Sequence, residues 1–231
     1  MIFDGEHGSR VLQNELKSPV SGILSLAQLL MLEPPGTPEL HELAQAIYDR
    51  GQKLLILMDN LQDLDRIHRG VFQLEREPLI INNLLDQIVH DYERPLKLKG
   101  VSARLRVQGL PLGTAPLMTL WAKENLLWGI LDNAFRNAYE ASPSGGTIEL
   151  GVSLEGDLMN IVLENEGEVP FDIREEFFQA WRSSKPQGLG LGTFVIKSFT
   201  MALEGEVDMQ TGAGRTTLRV SLPQREGKLS L

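Results

Sequence analysis

The stretch that most constrains this chain is residues 124–142, which combines an apolar helical stripe with a row of amides. Its apolar residues recur at spacings of three and four, as one face of a helix requires: Leu127, Ile130, Leu131, Ala134 and Ala138. Asn133 and Asn137 lie four residues apart and share another face. Because Asn is a mediocre helix former, this pair indicates either a solvated polar face or two amides that hold a ligand together.

A second signal is a glycine-alternating loop that leads into an apolar helical start, with Gly188, Gly190 and Gly192. Glycine permits positive φ and a close approach of the backbone to a ligand, and the N-terminus of the following helix favours an anion. These features suit a triphosphate, although glycines also mark ordinary turns. No strongly apolar strand leads into the loop, which argues against a dinucleotide-binding motif.

Between these stretches, residues 159–170 predict a strand that ends in a polar turn, and residues 177–181 are rich in aromatic side chains. The order of amide helix, strand with Asn-x-Gly, aromatic segment and glycine loop resembles the N, G1, F and G2 boxes of the ATP-binding domain of sensor histidine kinases. The resemblance implies ATP and Mg²⁺ as ligands. It also implies a response-regulator receiver domain as partner.

The N-terminal part of the chain carries the same resemblance. Residues 12–20, Leu-Gln-Asn-Glu-Leu-Lys-Ser-Pro-Val, look like the H box, whose usual form is His-Glu-Leu-(Lys/Arg)-(Ser/Thr)-Pro. Asn14 takes the position of the phosphoacceptor His, and Glu15 that of the neighbouring acid. An amide nitrogen is delocalised into its carbonyl and is a poor nucleophile, so we expect no autophosphorylation at Asn14. Glu15 then has nothing to activate and is equally well read as an exposed helical carboxylate.

The histidines of the chain lie outside this motif and lack the Glu-Leu-x-x-Pro context. We treat them as ordinary surface or boundary residues: His7, His41, His68 and His90.

Residues 8–33 and 39–68 predict two amphipathic helices, with Pro19 expected to kink the first. A simple hairpin does not bury one apolar stripe on each helix, whereas a homodimeric four-helix bundle does. The predicted stripes are Leu12, Leu16, Val20, Ile23, Ala27 and Leu30, followed by Leu40, Leu43, Ile47, Leu54, Met58, Leu61 and Ile67.

We divide the chain into a dimerisation hairpin at residues 1–70, a linker at 71–78 and an ATP-binding domain at 79–231. Gly70 is the expected C-cap of the second helix. The last domain is predicted to contain further elements: a helix at 78–90, a strand at 99–107, and hairpins at 147–163 and 207–222. Together they predict an α+β fold, with an antiparallel-rich sheet on one side and helices on the other, of the histidine kinase, Hsp90 and gyrase type.

By resemblance, Asn137 is the expected magnesium ligand, and Asn133 contacts phosphate or metal-bound water. Hard cations prefer such oxygen ligands. Tyr139 is placed beside the adenine, or equally well at a packed boundary. Lys185, together with Ser184, lies where a mobile lid would close, or in a solvated loop.

The G1 box, usually Asp-x-Gly-x-Gly, fits here in two registers: Glu164-x-Glu166 or Asn165-x-Gly167. We favour the second, because the strand alternation turns Asn165 inward and Gly167 supplies the turn. A neutral acceptor is roughly half as strong as a charged one, so adenine affinity is expected to be reduced. The second glycine of the box is replaced by Glu168 or Val169. Thr216 or Thr217 would line the same pocket from the last hairpin, or serve as ordinary strand residues.

Composition restricts the partners of the chain. A net charge of −9 with scattered Lys and Arg argues against nucleic acid. The chain has no cysteine, which excludes disulfides and thiolate metal sites and fits a reducing compartment. No apolar run is long enough to span a bilayer, and the N-terminus lacks signal-peptide features. The expectation is a cytoplasmic module, with or without an upstream sensor.

Several functions fit these residues. The first is a degenerate histidine kinase that binds ATP and acts through conformation or partner binding. The second is an active kinase whose acceptor His was replaced by Asn, and the altered G1 box favours natural divergence over that substitution. The third is a module that docks a receiver domain and keeps a relic ATP fold. A chaperone or topoisomerase relative is disfavoured, because those proteins lack the Glu-Leu-Lys-Ser-Pro hairpin.

Overall fold

The computed structural model describes residues 17–32, 38–182 and 190–224. The chain forms two compact units, which divide between Phe72 and Gln73. The first unit is helical, and the second combines helices with sheets. None of the helices in the described segments is long and apolar enough to cross a bilayer.

The first unit is a pair of packed helices, α1 (Lys17–Leu32) and α2 (Pro38–His68). The second helix was predicted almost to the residue. Pro38 is its first residue, where the missing N–H of proline costs no hydrogen bond because the first N–H groups of a helix have no partner within it. The helices approach closely at Gly51, where an added Cβ would lie 2.7 Å from Cδ2 of Leu24. The predicted start of the first helix and a kink at Pro19 lie at or beyond the edge of the described residues.

The C-terminal end of α2 also agrees with the prediction. Gly70 adopts a φ of 67°, which is the left-handed conformation that glycine reaches without strain. The N–H of Val71 then donates to the carbonyl of Arg66 at 3.0 Å. This glycine therefore ends the helix as a C-terminal cap.

The buried face of α1 differs from the predicted stripe. Val20 and Ala27 are buried as predicted, but Leu24 is buried in place of Ile23, which is 50% exposed. Two packed helices bury only the side chains along their line of contact, so each keeps an apolar flank. In the described part of the hairpin the exposed apolar side chains include Ile23, Leu26, Leu29, Leu30, Leu40, Leu43, Ile47 and Leu54.

The second unit contains a six-stranded sheet. Its strands are β2 (Ser102–Val107), β3 (Leu110–Pro111), β5 (Thr147–Glu155), β6 (Leu158–Glu166), β7 (Glu206–Gly212) and β8 (Arg215–Pro223). They lie in the order β3-β2-β5-β6-β8-β7, and the pairing is antiparallel except between β2 and β5. Both predicted hairpins, β5-β6 and β7-β8, are confirmed.

Three helices cover one face of this sheet: α3 (Ile81–Lys99), α4 (Glu124–Ala141) and α5 (Gly192–Ala202). Alternate strand residues are buried toward them, as the period of two along a strand requires. The inward side chains include Ile148, Leu150, Val152, Ile161, Leu163, Leu218 and Val220. The predicted α+β fold, with helices on one side of an antiparallel-rich sheet, is confirmed.

The prediction of a helix over residues 78–90 was wrong at both ends. Pro78 lies in a short strand, β1 (Glu77–Ile80), which pairs with β4 (Thr119–Ala122) in a separate two-stranded sheet. A two-stranded sheet has only edge strands, where a missing proline N–H is tolerated. The helix itself is α3, which continues past Pro95 to Lys99 and ends at Gly100 with a φ of 69°.

Candidate functional site

The amide pair of α4 faces the first residue of α5. Asn133 is buried, and its Nδ2 donates to the carbonyl of Gly129 at 2.7 Å, one turn earlier. This bond fixes the side chain so that Oδ1 points toward Gly192. A Cβ added at Gly192 would lie 3.1 Å from that oxygen and 3.8 Å from Nδ2 of Asn137. The glycine therefore allows the start of α5 to approach both amides.

The two amides differ in what they already bind. Asn133 uses its N–H group within its own helix, so its oxygen is the atom turned toward α5. Asn137 is half-buried, and its side chain makes no hydrogen bond to any residue in the described segments. Among the described residues, Asn137 is therefore the amide of the pair whose oxygen and nitrogen have no hydrogen-bond partner.

The N-terminus of α5 contributes backbone N–H groups to the same place. The residue before it, Leu191, has an apolar side chain, and no side-chain cap bonds the first turn. The first N–H groups of a helix lack partners within the helix and carry a partial positive charge. Together with the amides of Asn133 and Asn137, this end of α5 is suited to a phosphate group.

Gly190 has a structural role that differs from the predicted one. Its φ is 66°, and an added Cβ would lie 2.6 to 2.7 Å from backbone atoms of Trp181 and Arg182. Its carbonyl accepts the N–H of Trp181 at 2.9 Å. Gly190 is thus held against Trp181 and Arg182 by its backbone. The glycine that meets the amides is Gly192, so the phosphate approach predicted for Gly190 has no support in this geometry.

The polar turn after β6 has the predicted alternation. Asn165 is buried on the inward face of the strand, whereas Glu164 points to the other face and pairs with Arg215. Gly167 adopts a φ of 116°, and a Cβ there would lie 2.6 Å from the carbonyl oxygen of Ala141. The turn therefore packs against the C-terminal end of α4, the helix that carries the amide pair.

Asn165 presents a hydrogen-bond acceptor within this turn. Its Nδ2 donates to the carbonyl of Glu166 at 2.8 Å, which fixes the amide. Oδ1 accepts no hydrogen bond from the described residues. This geometry agrees with the Asn165-x-Gly167 register and leaves an oxygen that could accept an amino proton.

Thr216 binds the turn rather than facing open solvent. It is buried, and its hydroxyl donates to the carbonyl of Gly167 at 2.8 Å. Its oxygen also lies 3.0 Å from the hydroxyl of Thr211, which accepts the N–H of Val169 at 3.0 Å. The threonine pair therefore holds the turn that carries Asn165 in place.

Glu168 adds a charged bond on the solvent side of the same turn. It accepts the backbone N–H of Gly214 at 2.7 Å and a bond from Arg174 at 2.7 Å. Both bonds lower the pKa of this carboxyl from its ordinary value, because they favour the charged form, and the bond from Gly214 has the larger effect. The turn is thus attached to the β7-β8 hairpin through Glu168 and Gly214 as well as through Thr216.

Tyr139 does not lie with the amides. Its hydroxyl donates to the carbonyl of Pro95 at 3.4 Å, and Lys99 Nζ lies 4.8 Å from the center of its ring. Both partners belong to α3, on a different face of α4 from Asn137. The position predicted for Tyr139 beside a bound base is therefore not supported, and the alternative of a packed boundary residue describes it.

A polar cluster beside the amide helix was missed by the sequence reasoning. Tyr92 on α3 donates to Oδ1 of Asp132 at 2.9 Å, and Arg136 pairs with the same carboxylate. Burial, which has the largest effect, and the negative charge of Asp132 raise the pKa of the Tyr92 hydroxyl above its ordinary value. Asp132 directly precedes Asn133, so this cluster fixes α4 against α3. Tyr92 escaped notice because the helix was predicted to end at residue 90.

The remaining predicted site residues lie outside the described segments: Asn14, Glu15, Ser184, Lys185 and Gly188. Within those segments, no group of three or more His, Cys, Asp or Glu side chains could hold a metal ion. A metal at this site would therefore depend on amide oxygens and on the ligand itself.

Residues 122–226 match the family described as histidine kinase-, DNA gyrase B- and HSP90-like ATPase. The chain is 26% identical over 232 residues to the autoinducer 2 sensor kinase/phosphatase LuxQ of Vibrio vulnificus, over 94% of this chain and 26% of that protein. It is 25% identical over 229 residues to the sensory histidine kinase/phosphatase NtrB of Rhodobacter capsulatus, over 93% of this chain and 61% of that protein.

Among solved structures, the crystal structure of full-length ShkA in complex with AMPPNP is similar to the chain with a TM-score of 0.68 at 25% identity. The similarity covers 95% of this chain and 46% of that one. The chain thus spans about a quarter of the first of these relatives, and less than half of the ShkA chain.

Proposed function

We propose that the chain binds ATP with Mg²⁺ as a module of a two-component system. The proposal is supported by its sensor histidine kinase core, in which residues 122–226 match the histidine kinase-, DNA gyrase B- and HSP90-like ATPase family. We further propose that it does not phosphorylate itself at Asn14. The observation that carries the nucleotide part is the approach of Gly192 to Asn133 and Asn137.

The donor set of this site fits a magnesium nucleotide. A hard cation prefers oxygen ligands and keeps several waters, and Asn137 offers an amide that bonds no other residue in the described part of the chain. Asn133, with Oδ1 toward the start of α5, would contact phosphate or a metal-bound water. Bound Mg²⁺ would supply positive charge that offsets the negative charge of the phosphates.

Other residues of the site have supporting roles in this proposal. The oxygen of Asn165 would accept the amino group of adenine, and Gly167 and Thr216 would hold the turn that presents it. Gly188 and Lys185, which precede α5 in sequence, would complete the phosphate end.

The proposed way of signalling takes into account that Asn14 replaces the nucleophilic histidine. Two relatives named as sensor kinase/phosphatases share their core with this chain, so a response-regulator receiver domain is the partner we propose. Without a histidine at position 14, the module would act on that partner through conformation or binding. The alternatives are an active kinase with a substituted acceptor and a receiver-docking module with a relic ATP fold.

Titration calorimetry with ADP and ATP, with and without Mg²⁺, tests the nucleotide part. We expect magnesium-dependent binding of weak to moderate affinity, because the acceptor at Asn165 is neutral. Absence of binding at millimolar nucleotide would favour the relic fold.

The exposed apolar flank of the hairpin supports the proposed homodimer, since such a surface is unfavourable in water. Replacing Leu54, which is 44% exposed in the single chain, with glutamate is expected to convert a dimer to a monomer. The charge is tolerated on the isolated hairpin, but it would be unpaired in a bundle core at a cost of several kcal/mol. Light scattering over a range of concentrations measures the change.

The matched control is Leu98→Glu, the same substitution on α3, where the side chain is 80% exposed. This variant should keep the oligomeric state of the unmodified chain. A wild-type mass equal to a monomer at all concentrations would contradict the dimer.

A further inference from the structure

We propose that Arg76 is a positioning residue for the nucleotide site, which it serves by holding α5 from the end opposite the ligand. The inference rests on the proposed nucleotide binding. Arg76 is the fourth residue of the second unit, where the chain enters that unit after the helical hairpin. Its side chain is only 9% exposed. A guanidinium this buried needs partners for its charge and its donors.

The partners of Arg76 lie on two elements of the unit. One terminal nitrogen donates to the carbonyl of Trp121 on β4 at 3.3 Å. The other donates to the carbonyl of Leu203 at 3.3 Å and to a carboxylate oxygen of Glu204 at 2.8 Å. The planar guanidinium can hold such divergent acceptors at once. Arg76 therefore attaches the C-terminal end of α5 to the small β1-β4 sheet.

The end of α5 is suited to a positive charge that the helix itself does not supply. α5 has no basic residue in its last turn, and its C-cap is Leu203. The last carbonyls of a helix lack partners within the helix and carry partial negative charge. Glu204 follows with a φ of 62°, a left-handed conformation that is unfavourable for residues other than glycine. The bonds from Arg76 to Leu203 and Glu204 stabilise this helix end.

The opposite end of α5 is the one that meets the amide pair. α5 has 11 residues, a single run of helix from Gly192 to Ala202. At a rise of about 1.5 Å per residue it is roughly 16 Å long. A helix of this length moves as one body, so the anchor at Leu203 helps to set the distance between Gly192 and Asn133. An added Cβ at Gly192 would lie only 3.1 Å from the Asn133 oxygen, so there is little room for α5 to shift toward the amides.

The variants for the test are Arg76→Met and Arg76→Lys. Methionine keeps the apolar stem without donors, whereas lysine keeps the charge but has one terminal nitrogen in place of the two that bond Trp121 and Leu203 separately. The matched control is Arg104→Met, because Arg104 also pairs with a glutamate but is 61% exposed on the outer side of β2. ADP affinity with Mg²⁺ is measured by calorimetry at a temperature where circular dichroism shows each variant folded.

We expect Arg76→Met to weaken ADP binding by about tenfold, within the usual range for coupling between two sites. Arg76→Lys should fall between it and the unmodified chain, and Arg104→Met should bind as the unmodified chain does. Hydrogen exchange adds a readout at the distant end of the helix. The amides of residues 192–195 should exchange faster in Arg76→Met, whereas a residue that only stabilises the fold would leave ADP affinity unchanged below the unfolding temperature.

A folded Arg76→Met that binds ADP as tightly as the unmodified chain would overturn the inference. If Arg76→Met does not fold, Arg76→Lys decides in the same way. Failure of the proposed function is seen separately, as a lack of ADP binding by the unmodified chain before any variant is compared.

Discussion

Gly192→Val is expected to abolish nucleotide binding while leaving the protein folded. An added Cβ at this position already lies 3.1 Å from the oxygen of Asn133, and the two methyl groups of valine would enter the space between α5 and the amides. The backbone of Gly192 is helical and lacks a positive φ, so the substitution acts on the site and adds little backbone strain. Calorimetry with ADP and Mg²⁺ measures the loss, and thermal unfolding checks the fold.

Gly113→Val is the matched control for this variant. Gly113 also lies in the second unit, and a Cβ there would meet nothing within 4 Å. This control should bind ADP as the unmodified chain does. Undiminished ADP binding by Gly192→Val would contradict the site.

Asn137→Ala tests the metal in the same assay. The alanine variant should lose the dependence of ADP affinity on Mg²⁺, because the amide oxygen proposed as the metal ligand is removed.

Gly190→Val is a poorer choice for testing phosphate approach. Its side chain would meet the backbone of Trp181 and Arg182 and would strain a positive φ, so a loss of binding would not identify the ligand contact.

Much of the second unit was predictable because its elements carry strong local patterns. α4 has apolar residues at helical spacing, and β5-β6 and β7-β8 alternate in burial around short turns. The inward position of Asn165 follows from the same alternation. These patterns are local, so neighbouring residues alone were sufficient to read them.

The missed elements depend on pairing that is distant in sequence. β1 and β4 have four residues each, too few to show alternation, and they are joined only in the folded chain. Pro78 read as a helix start, although its place is opposite Trp121 in a strand. Arg76 was likewise overlooked, because its acceptors at Leu203 and Glu204 lie more than a hundred residues away.

The choice between the two alternatives for Tyr139 could have been made from the sequence alone. A helix turns by about 100° per residue, so Tyr139 lies roughly 200° from Asn137 and cannot share its face. The structure agrees, with Tyr139 against Pro95 and Lys99 of α3. The roles of Gly190 and Gly192 could not be separated in this way, since alternate glycines in a loop do not reveal which one a neighbouring element approaches.

The unmodified chain is expected to incorporate no acid-labile phosphate when incubated with labelled ATP and Mg²⁺. The reason lies in Asn14, whose nitrogen shares its lone pair with the carbonyl and is not a nucleophile at any distance from ATP. The described histidines offer no evident replacement, since His41, His68 and His90 are all exposed on helices outside the Glu-Leu-x-x-Pro motif. Labelling of the unmodified chain would contradict the prediction and direct the search to these residues and to His7.

Asn14→His should restore slow transfer at most. Glu15 and Pro19 are retained beside the new histidine, as the histidine kinase motif requires, but in the proposed site the neutral Asn165 would hold adenine less firmly than a carboxylate would. Transfer needs the attacking nitrogen within about 3 to 3.5 Å of the phosphorus, and small errors of placement cost roughly a hundredfold in rate. The double variant Asn14→His, Gly192→Val is the control and should show no labelling, because the nucleotide is no longer held. Fast labelling of Asn14→His would instead mean that Asn14 is the only defect of the site, as expected of an active kinase whose acceptor had been substituted.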